Sequence, residues 1–184
     1  EKPLALNLED LKLIEKTYLK NNENELLARL MVGFNRRFAP LMLSLKSKVK
    51  QNEPMSIIYT CNAGFIPSDS WIHDLKKGGG RLVGEACHFI DICRFLVNSP
   101  INSVKTIAMT GDEESAKNFD TISISLKFQN NSIAVINYFS NGHRAFPKER
   151  VEIFQSGGIA VLDNYKKLIS YGFNGLKSKN VFFR

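Results

Sequence analysis

Residues 122–139 read ISISLKFQNNSIAVINYF and predict a β-hairpin. In the first strand, apolar residues at 122, 124, 126 and 128 alternate with polar residues. Asn130-Asn131 supplies the turn, and Ser132 to Phe139 forms the return strand. Alternation with period two is typical of an antiparallel sheet that buries one face and leaves the other open. The second half of the chain is therefore expected to be mainly antiparallel sheet.

Further elements follow from composition and turn residues. Short strands are predicted over Arg29 to Phe38, Ser56 to Cys61, Val104 to Thr110, Glu149 to Gln155, Ile159 to Leu162 and Lys167 to Tyr171, with a tight turn at Gly157-Gly158. Helices are predicted over Asn7 to about Leu30, Pro40 to about Lys50, and Arg81 to Val97. Together they predict an α+β fold, an open and mainly antiparallel sheet with helices packed on one face.

The bulk composition limits the possible functions. A chain of 184 residues with 43% hydrophobic residues can bury a real core without a metal or a disulfide. No apolar run is long enough for a membrane span, and three scattered cysteines predict free thiols in the cytoplasm. The net charge of +7 is spread along the chain without a nucleic-acid-binding motif. We expect no nucleic-acid partner, although a positive field would attract small anionic ligands.

The helix predicted over residues 81–97 carries the most informative residue, His88. On a helical wheel, His88 faces away from the apolar side, with Gly84 four residues and Glu85 three residues before it. A lone histidine is often a surface or core residue. Here, however, a carboxylate lies within reach and a glycine leaves room for a ligand, so His88 is a candidate general base.

Three glycines at 78–80 precede this helix, and two interpretations remain open. They form either a flexible linker or a segment of backbone that approaches a ligand closely. Neither a dinucleotide-binding nor a P-loop glycine motif occurs in the chain.

Taken together, three blocks resemble the Gfo/Idh/MocA oxidoreductase family: EKP at 1–3, GFNRRF at 33–38 and GGGRLVGEACHFID at 78–91. The resemblance implies a two-domain enzyme that uses NAD or NADP. Residues 1–37 would then be the last strand-helix-strand of the Rossmann domain, and 38–184 the α+β domain for substrate binding and oligomerisation. The main cofactor-binding part would lie outside this chain.

The resemblance also implies roles for individual residues. Lys2 would lie beside the nicotinamide and the substrate hydroxyl, and His88 would take the hydroxyl proton as hydride leaves carbon. Glu1, Lys2, Pro3 and Arg36 are the residues implied near the cofactor. The implied substrate is a sugar, a cyclitol or a nucleotide-linked sugar, and the implied assembly is a homo-oligomer formed through the sheet.

One position departs from the family pattern. Many members carry aspartate four residues before the histidine, where this chain has Gly84, so Glu85 is the candidate for the second acid. Candidate substrate-binding residues are Arg36, Tyr59, Asn62, Trp71, His143 and Lys148. No metal ligand set is predicted.

Two functions of different classes therefore compete. The first is the substrate-binding part of an NAD(P)-dependent dehydrogenase, in which Lys2, Glu85 and His88 are catalytic. The second is a non-catalytic ligand-binding or oligomerisation module with the same fold, which the departure at Gly84 favours.

Overall fold

A computed structural model of the protein describes residues 2–23, 29–109, 120–173 and 175–180. In this part of the chain, eight strands form one sheet in the order β2-β3-β4-β1-β5-β6-β7-β8. Their bounds are β1 Ser56–Asn62, β2 Ile101–Ala108, β3 Ile122–Phe128, β4 Ile133–Phe139, β5 Glu149–Gln155, β6 Gly158–Asp163, β7 Lys167–Tyr171 and β8 Lys179–Asn180. Neighbouring strands are antiparallel except for β1 and β4, which pair in parallel. The predicted fold class is confirmed, and the hairpin lies where its alternation placed it.

One face of the sheet carries the core. Tyr59 in β1 pairs with Ile136 in β4 and with Val151 in β5, and all three side chains are buried. The in-phase residues of the neighbouring strands continue this apolar face, because side chains alternate across a strand. Two helices cover it: α2 (Pro40–Lys46) and α3 (Cys87–Val97).

The helix predicted over residues 81–97 forms with an irregular start. Leu82–Ala86 is π-helical, and regular α-helix follows from Cys87. An inserted π turn rotates the preceding residues relative to the rest of the helix, and such turns occur frequently at functional sites. The helix ends at Asn98 in a left-handed conformation, φ 53°, a common way to terminate a helix.

The strand predicted over Arg29 to Phe38 is wrong. Residues 29–34 pair with no strand, and Asn35–Phe38 is a short 3-10 helix. Tight turns satisfy the backbone here, since Phe34 N donates to Val32 O at 2.8 Å and Asn35 N to Gly33 O at 2.9 Å. The unpaired edge that such a strand would expose therefore does not arise.

The first helix, α1, spans Leu8–Glu23 in the described residues, and residues 29 and 30, at the predicted end, are not helical. Residues 24–28 lie outside the described part of the chain. Within the described residues, no helix combines the length and the apolar character needed to cross a bilayer.

Candidate functional site

A cleft of about 330 Å³ opens where the π turn leads into α3. Six sequence-predicted site residues line it: Lys2, Arg36, Trp71, Glu85, His88 and Lys148. Six further lining residues were not predicted as site residues: Ala63, Ile66, Ile72, Gly78, Arg81 and Gly84. The fold therefore brings together residues that are up to 146 positions apart in the sequence, at one end of α3.

His88 lies at the wall of the cleft in a largely enclosed position. Phe34, in the segment before α2, covers its side chain, and His88 is only 6% exposed. The ring of Phe34 packs edge-on against the imidazole, with centroids 5.8 Å apart. The imidazole Nδ1 is buried and makes no hydrogen bond to any described residue.

These surroundings lower the pKa of His88 from 6.5 to about 4. Burial is the largest cause, and the positive charges of Arg36 and Lys2 act in the same direction. Glu149 and Glu85 oppose the shift with smaller effects. At neutral pH the imidazole is therefore uncharged and can accept a proton.

The same shift predicts how stability depends on pH. A histidine with a folded-state pKa of about 4 and an unfolded-state pKa near 6.5 stabilises the fold fully above pH 6.5. That contribution is lost as the pH falls from 6.5 through 4. We expect about 2 kcal/mol of acid destabilisation from His88, less than the full shift implies because one side of the ring borders the open cleft.

Urea denaturation gives the unfolding free energy at pH 7 and at pH 4. The fall between the two pH values is compared in the unmodified chain and in variants. His88→Gln should show a smaller fall in unfolding free energy than the unmodified chain. The exposed His143, replaced by glutamine, serves as control and should leave the fall unchanged. Equal falls in the unmodified chain and in His88→Gln would show that burial does not lower the pKa of His88.

Lys2 reaches the cleft from the start of the chain. Its Nζ donates a hydrogen bond to the backbone oxygen of Gly84, in the π turn. Gly84 borders Gly78, whose oxygen would lie 3.3 Å from a Cβ at position 84. A side chain at 78 would meet the backbone of Ile72 at 2.6 Å. These glycines keep the cleft floor as bare backbone, which at Gly78 favours close approach over the linker interpretation.

Glu85 lies in the cleft but is engaged away from His88. Its Oε1 accepts a hydrogen bond from Lys148 Nζ and its Oε2 one from Tyr138 Oη, both at 2.7 Å. Burial raises the pKa of Glu85, but the bonds from Lys148 and Tyr138 outweigh it and leave the pKa lowered. Glu85 is thus a charged carboxylate that holds Lys148 at the cleft rim.

Arg81 is a cleft residue that the sequence analysis missed. Its side chain is almost wholly buried, stacks over Tyr138 at 5.3 Å and lies 3.9 Å from a Glu85 oxygen. It donates to the backbone oxygens of Ala63 and Gly64 at 3.1 and 2.7 Å, and so ties the loop after β1 to the π turn. A charge directly after three glycines was the signal that could have found it.

Glu149 is the second missed residue. Both of its carboxylate oxygens accept hydrogen bonds from Arg36, each at 2.7 Å. The strand alternation could have found it, because Glu149 is in phase with the buried Val151 and Ile153 of β5. A charge at an inward position of a strand usually has a buried partner.

Several predicted residues lie outside the cleft lining. Tyr59 is fully buried and donates to Glu149 Oε2. Asn62 Nδ2 donates to the His143 oxygen at 2.9 Å, and the Asn62 backbone N donates to the Lys148 oxygen at 2.8 Å. Asn62 and His143 thus belong to the support of the loop that carries Lys148.

The remaining predicted positions are the first and third of the chain. Pro3 follows Lys2 without lining the cleft. Glu1 lies outside the described residues. Among the described residues, no group of three or more His, Cys, Asp or Glu side chains is arranged to hold a metal ion.

Comparison with known proteins identifies relatives of this chain. The chain is 27% identical over 171 residues to inositol 2-dehydrogenase of Rhizobium meliloti, covering 90% of this chain and 49% of that protein. It is 32% identical over 108 residues to the NAD(+) scyllo-inositol 2-dehydrogenase of Bacillus subtilis, covering 56% of this chain and 29% of that protein. The chain spans about half the length of the first of these relatives.

Solved structures share the fold. An NAD binding oxidoreductase from Klebsiella pneumoniae superposes with a TM-score of 0.77 at 21% identity, covering 98% of this chain and 52% of that one. UDP-N-acetylglucosamine 3-dehydrogenase from Acidithiobacillus ferrooxidans gives 0.75 at 17% identity, covering 98% and 54%. The model of the GFO/IDH/MocA C-terminal domain matches residues 47–161. The chain belongs to the GFO/IDH/MocA family, and the matched region is that family's C-terminal domain.

Proposed function

We propose that this chain forms the substrate-binding part of an NAD(P)-dependent oxidoreductase, which moves a hydride between the cofactor and a sugar or cyclitol hydroxyl. One observation carries the proposal. An uncharged, enclosed imidazole, His88, shares a cleft with the cations Lys2 and Arg36. The two inositol dehydrogenase relatives support a polyol as the substrate class.

The chemistry follows from what each group can do. Oxidation of an alcohol removes a proton from oxygen and a hydride from carbon, so a base must reach the oxygen. His88 is uncharged at neutral pH and can take that proton. The ammonium group of Lys2 would stabilise negative charge as it develops on the same oxygen.

The residues present fit the reactive end of a nicotinamide cofactor. The buried Nδ1 of His88 has no partner among the described residues, and the glycine floor leaves a cradle that a Cβ would obstruct. Lys2 and Arg36 would hold the cofactor's reactive end beside the substrate. When bound, the oxidised nicotinamide ring supplies the hydride acceptor. The residues that distinguish NAD from NADP bind the adenosine end of the cofactor, away from this cleft.

The cleft rim favours a hydroxylated substrate. Lys148 and Glu85 form a polar edge, while the exposed Trp71 supplies an apolar surface on which a sugar ring can pack. Among the described residues, Glu85 in the cleft lining is paired with Lys148, and Glu149 behind the wall is paired with Arg36. This leaves Lys2, bound to a neutral carbonyl, as the cation available to the reacting oxygen.

The test is hydride transfer by the full-length protein, followed as nicotinamide absorbance with NAD and NADP against inositols, aldoses and nucleotide-linked sugars. We expect turnover with at least one of these polyols. Saturable binding of a polyol without turnover would favour the non-catalytic module and overturn the dehydrogenase. Failure of every compound to bind would overturn both the dehydrogenase and the ligand-binding module, and would favour the oligomerisation module.

We also propose that the open face of the sheet carries a homo-oligomer contact. The strand register places Ile58, Ile107, Ile133 and Tyr171 on the face that the helices leave uncovered. These side chains are 37–80% exposed. An apolar surface of this kind is typical of protein–protein contacts, and a second copy of the chain is the proposed occupant.

A further inference from the structure

Glu149, the first residue of β5, is a carboxylate that lies 7% exposed behind the cleft wall. Burying a carboxylate is costly unless hydrogen-bond donors or a cation compensate its charge. Glu149 has both. Arg36 donates to its two oxygens at 2.7 Å each, and the hydroxyl of Tyr59 donates to Oε2.

Two contacts fix the guanidinium of Arg36, one with Glu149 and one with Phe89. A two-pronged bond between guanidinium and carboxylate restricts the plane of the group as well as its position. The Arg36 guanidinium also lies over the ring of Phe89, 5.3 Å from its centroid. Arg36 comes from the 3-10 helix at 35–38, and these two contacts fix the position of its guanidinium relative to that backbone.

Two tyrosines support the carboxylate of Glu149 from behind. Tyr59 is fully buried, and its hydroxyl lies 3.0 Å from that of Tyr165. The polar groups therefore run in sequence from Tyr165 through Tyr59 to Glu149 and on to Arg36 at the cleft. Well-satisfied buried networks of this kind hold side chains in single positions.

We propose that Glu149 is a positioning residue for the reaction: with Tyr59 it holds the guanidinium of Arg36 on the cleft wall that His88 shares, where Arg36 meets the substrate. This inference rests on the proposed function for its kinetic consequence. The geometry that carries it, two oxygens of one buried carboxylate bonded to one guanidinium, is independent of any substrate.

If Glu149 acts by positioning Arg36, its loss should change the pKa of His88 in one direction; if it acts only through its own charge, the change should be in the opposite direction. The charge of Arg36 lowers the pKa of His88, whereas that of Glu149 raises it. If Glu149 acts by position, its loss releases Arg36, and the pKa of His88 should rise toward its ordinary value. If Glu149 acts only by charge, its loss should lower that pKa further.

The test is a proton NMR titration of the chain, which has three histidines, with the His88 signal assigned by its absence in His88→Gln. In Glu149→Gln we expect the His88 midpoint to rise by about one pH unit. Glu152→Gln is the matched control, because Glu152 lies on the same strand in a partly exposed pair with Arg150. A midpoint that is unchanged or falls in Glu149→Gln would overturn the proposal.

A second variant covers the case in which Glu149→Gln does not fold. Glu149→Asp keeps the charge but withdraws the carboxylate by one methylene, so it should also raise the His88 midpoint. Behaviour like that of the unmodified protein would mean that charge suffices, which overturns positioning.

Kinetics of the full-length protein add a separate readout. Either variant should raise KM for the substrate about tenfold, with a smaller change in kcat, because Arg36 is expected to contact the substrate rather than to transfer the proton. Should the unmodified protein transfer no hydride, the proposed function fails while the titration still decides the role of Glu149. An unchanged KM in an active protein would overturn the role of Arg36 at the substrate.

Discussion

Replacing His88 with asparagine should lower kcat of the full-length protein by about 10²- to 10⁴-fold, the usual contribution of a positioned general base. Asparagine retains a polar side chain of similar reach but cannot take up a proton at neutral pH. Because Lys2 and Arg36 remain in the cleft, KM should change much less than kcat. Initial rates of nicotinamide reduction at saturating substrate measure the effect.

The half-buried His73 offers a control of the same residue type. It lies in the short helix Trp71–His73, and its ring is 3.4 Å from the oxygen of Ile66. His73→Gln should keep kcat within about twofold. A similar rate in His88→Asn would remove His88 from the chemistry, provided that circular dichroism and thermal melting show both variants to be folded.

The pH profile of the unmodified protein links this prediction to the structure. A base with a pKa of about 4 is already unprotonated at pH 6, so kcat/KM should stay level from neutral pH to about pH 5 and then fall. An ordinary exposed histidine would instead lose activity from about pH 6.5 downward.

The sheet was predictable from the sequence because its pattern is local. Period-two alternation at 122–139 reports burial of one face strand by strand, and the strands after Pro100 form near their predicted positions. The segment before α2 was not predictable in this way. Val32 and Phe34 resemble strand residues, but a strand forms only where a partner is available, and tertiary context decides that.

The site residues that the sequence revealed also differ in kind from those that it missed. Lys2 and Arg36 were identified through the family resemblance, and His88 through its helical position together with that resemblance; all three line one cleft. The supporting groups Arg81 and Glu149 were missed because their importance depends on contacts with residues far along the chain. Glu149 and Arg36 are 113 positions apart, so the alternation of β5 marks Glu149 as an inward charge but does not identify Arg36 as its partner.

Glu85 shows the limit of helical spacing. Three residues before His88 on a regular helix, its carboxylate was expected to lie within reach of the imidazole. The π turn at Leu82–Ala86 changes the register there, and Tyr138 and Lys148 engage its two oxygens instead. Among the described contacts, Glu85 influences His88 through charge alone.

Replacing Phe89 with alanine should have the largest effect on stability, about 3 to 5 kcal/mol of unfolding free energy. Phe89 lies on α3 and is fully buried against the sheet, where its ring centroid lies 4.7 Å from that of Tyr59 and 6.0 Å from that of Tyr138. The substitution removes the ring on which Arg36 rests, so it should also loosen the cleft wall. Urea denaturation at pH 7 measures the loss.

Two further substitutions test whether the cost of Phe89→Ala comes from the cavity it leaves or from losing any aromatic side chain. Phe89→Leu keeps most of the volume and should cost about 1 kcal/mol. Phe65 is 81% exposed, so Phe65→Ala should change the unfolding free energy by less than about 0.5 kcal/mol. A cost below about 1 kcal/mol for Phe89→Ala would mean that the sheet and α3 close over the gap. Phe89 would then not hold the cleft to the core.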